Sequence, residues 1–244
     1  MNRDSNGYTF AFAAAMVLVV ASVLAFTASS LKDLQSENVR KEKMQNILST
    51  IGIETDREGA EELFNTYIVE QLALRNDGTV DDEVDAFSDI KLALEIKKDA
   101  DAQRFPLYVA AVEDTQYYII PLRGAGLWNA IWGYIALNED KNSIKGVVFD
   151  HQGETAGLGA EITQQWFMNR FVDEKIFDTS GDLVGISVSK TNNDPNDTDK
   201  DDHEVDAISG ATITGDGVSD MIKERLQHYL PYLTAQPADL AYNN

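Results

Sequence analysis

From Ser5 to Leu31 the chain carries no charged residue, and Phe10 to Phe26 is almost wholly apolar. This run constrains the fold most, because about 20 residues of helix span a hydrocarbon core roughly 30 Å thick. Phe10, Phe12, Val17, Leu18, Val19, Val20, Val23, Leu24, Phe26 and Leu31 all favour insertion. At about −0.3 to −0.6 kcal/mol apiece they sum to roughly −3 to −6 kcal/mol. A single central lysine would cancel about half of that or more, and none is present. The competing reading is a cleaved signal peptide, with Ala28 and Ser30 as the small residues of a cleavage point. Against it, the run exceeds the usual apolar core of about 7–15 residues, and only Arg3 is basic ahead of it. The expectation is a retained transmembrane anchor over residues 8–31 that contacts membrane lipid, behind an N-terminal tail of residues 1–7. Lys32, Arg40, Lys41 and Lys43 follow the segment, so a positive-inside count alone puts the large domain in the cytoplasm.

Beyond the anchor the chain is acidic. Its net charge is −21, and residues 1–31 contribute only Arg3 and Asp4 to it. Such a surface favours solubility and repels nucleic acid and anionic membrane surfaces, so no nucleic-acid partner is expected. There is no cysteine, which removes disulfides, thiolate metal sites and cysteine nucleophiles. With 244 residues and 43% hydrophobic content, the chain suffices for one sizeable domain plus an accessory segment.

Residues 33–50 read as a helix with Leu34, Val39, Met44, Ile47 and Leu48 as a rough apolar stripe, and Glu58–Phe64 as a short one. Segments 67–75 and 90–97 are ambiguous, and the acidic stretch Asp77–Asp89 between them is loop-like. Leu107–Val112 and Tyr117–Leu122 flank a turn at Asp114–Thr115, and Gly133–Leu137 and Ile144–Phe149 flank Asn138–Asn142, giving two hairpins. Ala160–Phe171 reads as a helix and Leu183–Val188 as a strand. Val218, Met221, Ile222, Leu226, Tyr229, Leu230 and Leu233 place a buried stripe on a last helix from about Asp216 to Tyr232, ended by Pro231. The fold class is therefore α+β: an N-terminal transmembrane helix, then one mainly antiparallel sheet with flanking helices. The charge run Asp194–Asp206 lacks the glycine and closing glutamate of a calcium loop and reads as a solvated surface loop.

Three glycine-bearing segments become informative together. Arg123-Gly-Ala-Gly-Leu-Trp128 precedes Trp132-Gly-Tyr134; alone it reads as a tight turn with core tryptophans, without the third glycine of a dinucleotide fingerprint. Gly153-Glu-Thr-Ala-Gly-Leu-Gly159 precedes a helix start; it reads equally as an ordinary loop or as a backbone that a ligand can approach closely. Asp206-Ala-Ile-Ser-Gly-Ala-Thr-Ile-Thr-Gly-Asp-Gly217 runs into the last helix. A helix N-terminus of that kind suits an anion such as phosphate, although capping by Thr214 or Asp216 is physically adequate for the helix alone. No P-loop lysine pattern is present.

Ser209-Gly-Ala-Thr212, preceded by Asp206, resembles the flavinylation motif of the FMN-binding domain family. With Gly-Ala-Gly-Leu-Trp, Trp-Gly-Tyr-Ile-Ala-Leu and Gly-Glu-Thr-x-Gly-Leu-Gly in the same order, the chain is similar to the C subunits of sodium-translocating NADH:quinone reductases. The resemblance covers essentially the whole chain and is strongest over 120–233. The family usually has proline at the position of Ala156, a change that mainly affects loop stiffness.

The resemblance implies FMN bound covalently by a phosphoester to Thr212, placed there by a separate flavin transferase. It implies an electron-carrier subunit of an NADH:ubiquinone reductase, complete only with the other subunits of that complex. Ser209, Gly210, Ala211 and Thr214 would surround the attachment. Leu158 and Trp128 are candidates for the apolar wall, Glu154 and Thr155 for the polar edge or the partners of the ribityl chain, Gly157, Gly159 and Gly210 would permit close approach, and Leu127 is a further candidate cofactor-binding residue. No catalytic side chain and no metal is implied, since the cofactor carries the redox chemistry. The expected divisions are residues 32–119 as a membrane-proximal α+β part, 120–234 as the FMN-binding part of the same soluble domain, and 235–244 as a tail. In the family the flavin domain lies on the periplasmic face of the inner membrane, against the local charge count. The rivals are the RnfG-type flavoprotein of a ferredoxin-linked complex, a membrane-tethered non-redox binding module, and an unflavinylated structural relative.

Overall fold

The structure is a computed structural model and describes residues 5–195 and 198–235. Most of the expected tails (1–4 and 236–244) and two positions of the acidic run, 196 and 197, lie outside the described residues. The chain divides into two compact units, Met1–Lys43 and Met44–Asn244.

Helix α1 (Asn6–Ser49) makes up all of the first unit that forms regular structure. It is long and apolar enough to cross a membrane. Phe10, Val17, Leu18, Val20, Leu24 and Phe26 are all exposed, as a helix hydrophobic all round requires when lipid rather than protein covers it. The stripe expected along residues 34–48 exists only in its second half. Leu34 and Val39 are exposed, whereas Met44, Ile47 and Leu48 are buried in the second unit.

The second unit is built on a meander of five antiparallel strands in sequence order: β1 (Ile68–Leu74), β2 (Phe105–Val112), β3 (Thr115–Ala125), β4 (Ala130–Leu137) and β5 (Ile144–His151). Both faces are covered. Leu107, Val109, Ile120, Leu122, Ile131 and Ile135 point into the core shared with α5 (Thr212–Thr234). Their alternates Tyr108, Ala110, Ile119 and Ala136 pack with the last turns of α1 and with Phe64 of α2 (Ala60–Tyr67). Side chains alternate along a strand, so burial on both faces explains why β2 is apolar throughout rather than at every second position. The sheet is continuous through β3, which carries the expected boundary at residues 119 and 120.

Several local expectations are corrected. The first hairpin turns at Glu113–Asp114, with Glu113 left-handed (φ 55°) and Thr115 already in β3. The ambiguous segments resolve as β1 and as a single turn, α3 (Leu92–Glu95). Residues 160–171 are not one helix: 3-10 turns at Gly159–Thr163 and Asn169–Phe171 flank α4 (Gln165–Met168), because Gln164 is extended (φ −83°, ψ 138°). Only Ser187–Val188 of the expected 183–188 strand is extended into a ladder (β6), paired parallel to β7 (Glu204–Val205). Gly185 is left-handed (φ 71°), and its N–H and that of Val184 both turn to the Ile176 carbonyl. Helix α5 starts four residues early and continues past Pro231. The missing proline N–H costs one bond near the end of the helix, while Tyr232 and Leu233 stay buried beyond it. Leu230 is only half-buried, and Tyr232 takes its place on the buried face.

The acidic run is largely exposed, as a solvated surface loop should be, but it is tied down at a few points. Lys200 reaches the Arg170 carbonyl at 3.0 Å and the buried Glu174 carboxylate at 3.6 Å. Lys175 pairs with Asp201 at 2.6 Å, and His203 Nδ1 lies 2.6 Å from the Lys175 carbonyl. Its few basic members and the buried Asp206 anchor the run. Among the described residues no group of three His, Asp or Glu side chains is placed to hold a metal ion.

Candidate functional site

The three glycine-bearing segments meet around one side chain, Glu154. It follows β5 in the chain, is 7% exposed, and its own N–H donates to His151 Nδ1 at 3.2 Å. From the loop between β3 and β4, the Trp128 N–H donates to Glu154 Oε1 at 2.9 Å. From the first turn of α5, the Thr214 hydroxyl donates to Oε2 at 2.6 Å. Burial works against the ionised form. The Thr214 hydroxyl and the N–H groups of Trp128, Asn129 and Leu127 outweigh it and hold the carboxyl below its ordinary value. No cation is ion-paired with Glu154 among the described residues.

Two glycines explain how the segments approach so closely. A Cβ at Gly126 would lie 2.6 Å from Glu154 Oε1, and one at Gly159 would lie 2.6 Å from Oε2 and overlap Thr214 Oγ1. At the other end of the contact, a Cβ at Gly217 would overlap the Ala125 carbonyl oxygen, so α5 lies against the backbone at the end of β3.

Between these segments opens a cleft of about 230 Å³. Leu127, Glu154, Thr155, Leu158 and Gly159 form one side, and the run from Gly210 to Thr214 forms the other. Gly210 is left-handed (φ 74°), a conformation glycine adopts without penalty. Neither Thr214 nor Asp216 caps α5: its N-cap is Ala211, with no side-chain hydrogen bond. The Gly215 N–H reaches the Ala211 carbonyl at 2.9 Å. The N–H groups of Thr212, Ile213 and Thr214 have no acceptor among the described residues. A helix start with open N–H groups, an exposed hydroxyl on its first residue and apolar walls beside it fits a phosphate joined to a flat ring.

Most of the residues singled out in the sequence line this cleft: Leu127, Glu154, Thr155, Leu158, Gly159, Gly210, Ala211, Thr212 and Thr214. Three do not. Ser209 is exposed outside it. Gly157 is left-handed (φ 75°) with its N–H on Glu161. Trp128 is 65% exposed, and its indole N–H donates to Thr155 Oγ1 at 3.2 Å. Sequence reasoning missed Ile213, which lines the cleft and is 59% exposed. The available signal was an isoleucine off the buried stripe of its own helix.

The FMN-binding domain family matches residues 126–227. The C subunit of the Na(+)-translocating NADH-quinone reductase of Pseudomonas aeruginosa is 30% identical over 243 residues, covering 91% of this chain and 91% of that protein. The protein of the same name from Neisseria meningitidis serogroup A is 30% identical and covers 95% of each chain. Among solved structures, that of the corresponding protein from Parabacteroides distasonis is 37% identical with a TM-score of 0.76, covering 84% of this chain and 98% of its own.

Proposed function

The chain belongs to the family of C subunits of the Na(+)-translocating NADH-quinone reductases, and from that membership we propose that it is the membrane-anchored electron carrier of such a complex, with FMN joined by a phosphoester to Thr212. The observation that carries this reading is the contrast between two neighbouring hydroxyls. Thr212 is exposed, begins α5 and lines the cleft, whereas Thr214 is 1% exposed and already donates to Glu154. Only the first is open to a transferase.

Thr212 Oγ would carry the phosphoryl group, whose remaining negative charge the open N–H groups of the first turn would meet. Leu127, Leu158 and Ile213 would provide apolar contact, and Thr155 a hydroxyl near the same mouth. The bound group supplies reversible electron uptake and release; the chain's own residues bind and orient it. A covalent link keeps the carrier loaded in a cleft open to solvent. The partners are the other subunits of the reductase, a flavin transferase during maturation, and lipid around residues 8–31. The domain is assigned to the periplasmic side of the inner membrane by its resemblance to the family, and the opposing local charge count does not forbid this, since large domains cross largely regardless of such counts.

Denaturing-gel fluorescence of the protein from its native host tests the reading. A fluorescent band in the wild type that disappears in Thr212→Ala and survives in Thr214→Val is the expected result. A dark wild-type band, with the host's transferase shown to be active, would sink it.

A further inference from the structure

The carboxylate of Glu154 lines the cleft and is already engaged by the protein on each of its oxygens. Both its oxygens are occupied from within the protein, Oε1 by the Trp128 N–H at 2.9 Å and Oε2 by the Thr214 hydroxyl at 2.6 Å. Glycines at 126 and 159 leave no space for a Cβ beside those oxygens. Among the described residues its charge is therefore balanced by dipoles alone, in a wall shared with the residue proposed to carry the flavin. A buried charge with dipolar partners but no counter-ion retains a field over its surroundings.

From this arrangement we infer that Glu154 is a positioning residue with an electrostatic effect on the flavin. It clamps the loop at Leu127–Asn129 to the first turn of α5 and, as a fixed anion in the cleft wall, lowers the reduction potential of the bound ring. The inference rests on the proposed flavin carriage. Uptake of two electrons and one proton turns a neutral flavin ring into an anionic one. A fixed negative charge close by disfavours that product. A unit charge within about 10 Å, at an effective dielectric near 20, shifts such an equilibrium by about tenfold.

Two substitutions separate the field from the clamp. Glu154→Gln keeps the shape and removes the charge. Thr214→Val keeps the charge and removes one of the donors that disperse it. Both weaken the clamp, so a purely structural role moves both potentials in one direction. The experiment titrates full-length protein in detergent with dithionite against reference dyes, and scores flavin loading separately by gel fluorescence. In Glu154→Gln the ratio of reduced to oxidised flavin at a fixed dye potential is expected to rise by about tenfold, with Thr214→Val unchanged or lower. An unshifted Glu154→Gln, or a rise in Thr214→Val, overturns the inference. If Glu154→Gln fails to accumulate, Thr214→Val decides alone: a lowered ratio supports the inference, and an unchanged or raised one overturns it. A wild-type band without flavin refutes the carrier reading instead, and the inference with it.

Discussion

A methyl group at position 159 is the sharpest probe of how the site is assembled. Gly159 has no left-handed backbone angle, so Gly159→Ala tests space and not conformation. The added carbon would overlap Thr214 Oγ1 and lie 2.6 Å from Glu154 Oε2. Forcing it in costs about 1–3 kcal/mol as overpacking. It also breaks the buried hydrogen bond from Thr214 to the ionised Glu154, worth about 1.5–3 kcal/mol. The sum, about 2.5–6 kcal/mol, is a large part of the roughly 5–15 kcal/mol by which domains are stable. Thr214→Ala alone loses only the hydrogen bond. In the double variant the main obstacle to the methyl is gone, so the two costs do not add, and a coupling of about 1–3 kcal/mol is expected. Equilibrium urea unfolding of the four proteins in detergent, followed by tryptophan fluorescence, measures it. A Gly159→Ala loss below about 0.5 kcal/mol, or strictly additive costs, would refute the close approach of the 153–159 loop to α5.

Three other perturbations have defined outcomes. The stability difference between wild type and Glu154→Gln should be full at neutral pH. The folded carboxyl titrates below its ordinary value of 4.5, so the difference should shrink as pH falls below 4.5 and vanish once the folded protein is protonated; urea midpoints at stepped pH follow it. Lys141 places its ammonium 5.1 Å from the Tyr118 ring centre and 5.0 Å from that of Tyr232, tying the β4–β5 turn to the C-terminal end of α5. Lys141→Met should cost about 1–2 kcal/mol in the same assay and leave flavin loading unchanged. Gly133 pairs with Phe149 in the β4–β5 ladder, and a Cβ there would overlap the Val148 carbonyl oxygen. Gly133→Ala should therefore cost about 3 kcal/mol or more in the same assay, and a transition within about 1 kcal/mol of wild type would contradict the sheet register.

The sequence alone determined the features that depend on neighbours along the chain. The uncharged run to Leu31 set the long apolar helix, runs rich in β-branched and aromatic residues on either side of turn residues set both hairpins, and the stripe from Val218 to Leu233 set the buried face of α5. The motif residues of the cleft were legible because their identities and order are local as well. Tertiary structure decided what depends on distant partners. The 160–171 segment breaks at the extended Gln164, the acidic run is tied down through Lys200, and Tyr232 rather than Leu230 faces the core. Above all, two threonines only two positions apart have opposite fates. The Ser209-Gly-Ala-Thr212 motif picks out Thr212 locally, but only the fold shows why Thr214 differs: the carboxylate of Glu154, 60 residues from Thr214, takes up its hydroxyl and leaves that of Thr212 at the mouth of the cleft. A buried polar group must find its partner wherever the fold brings one, and that partner is invisible until the chain has folded.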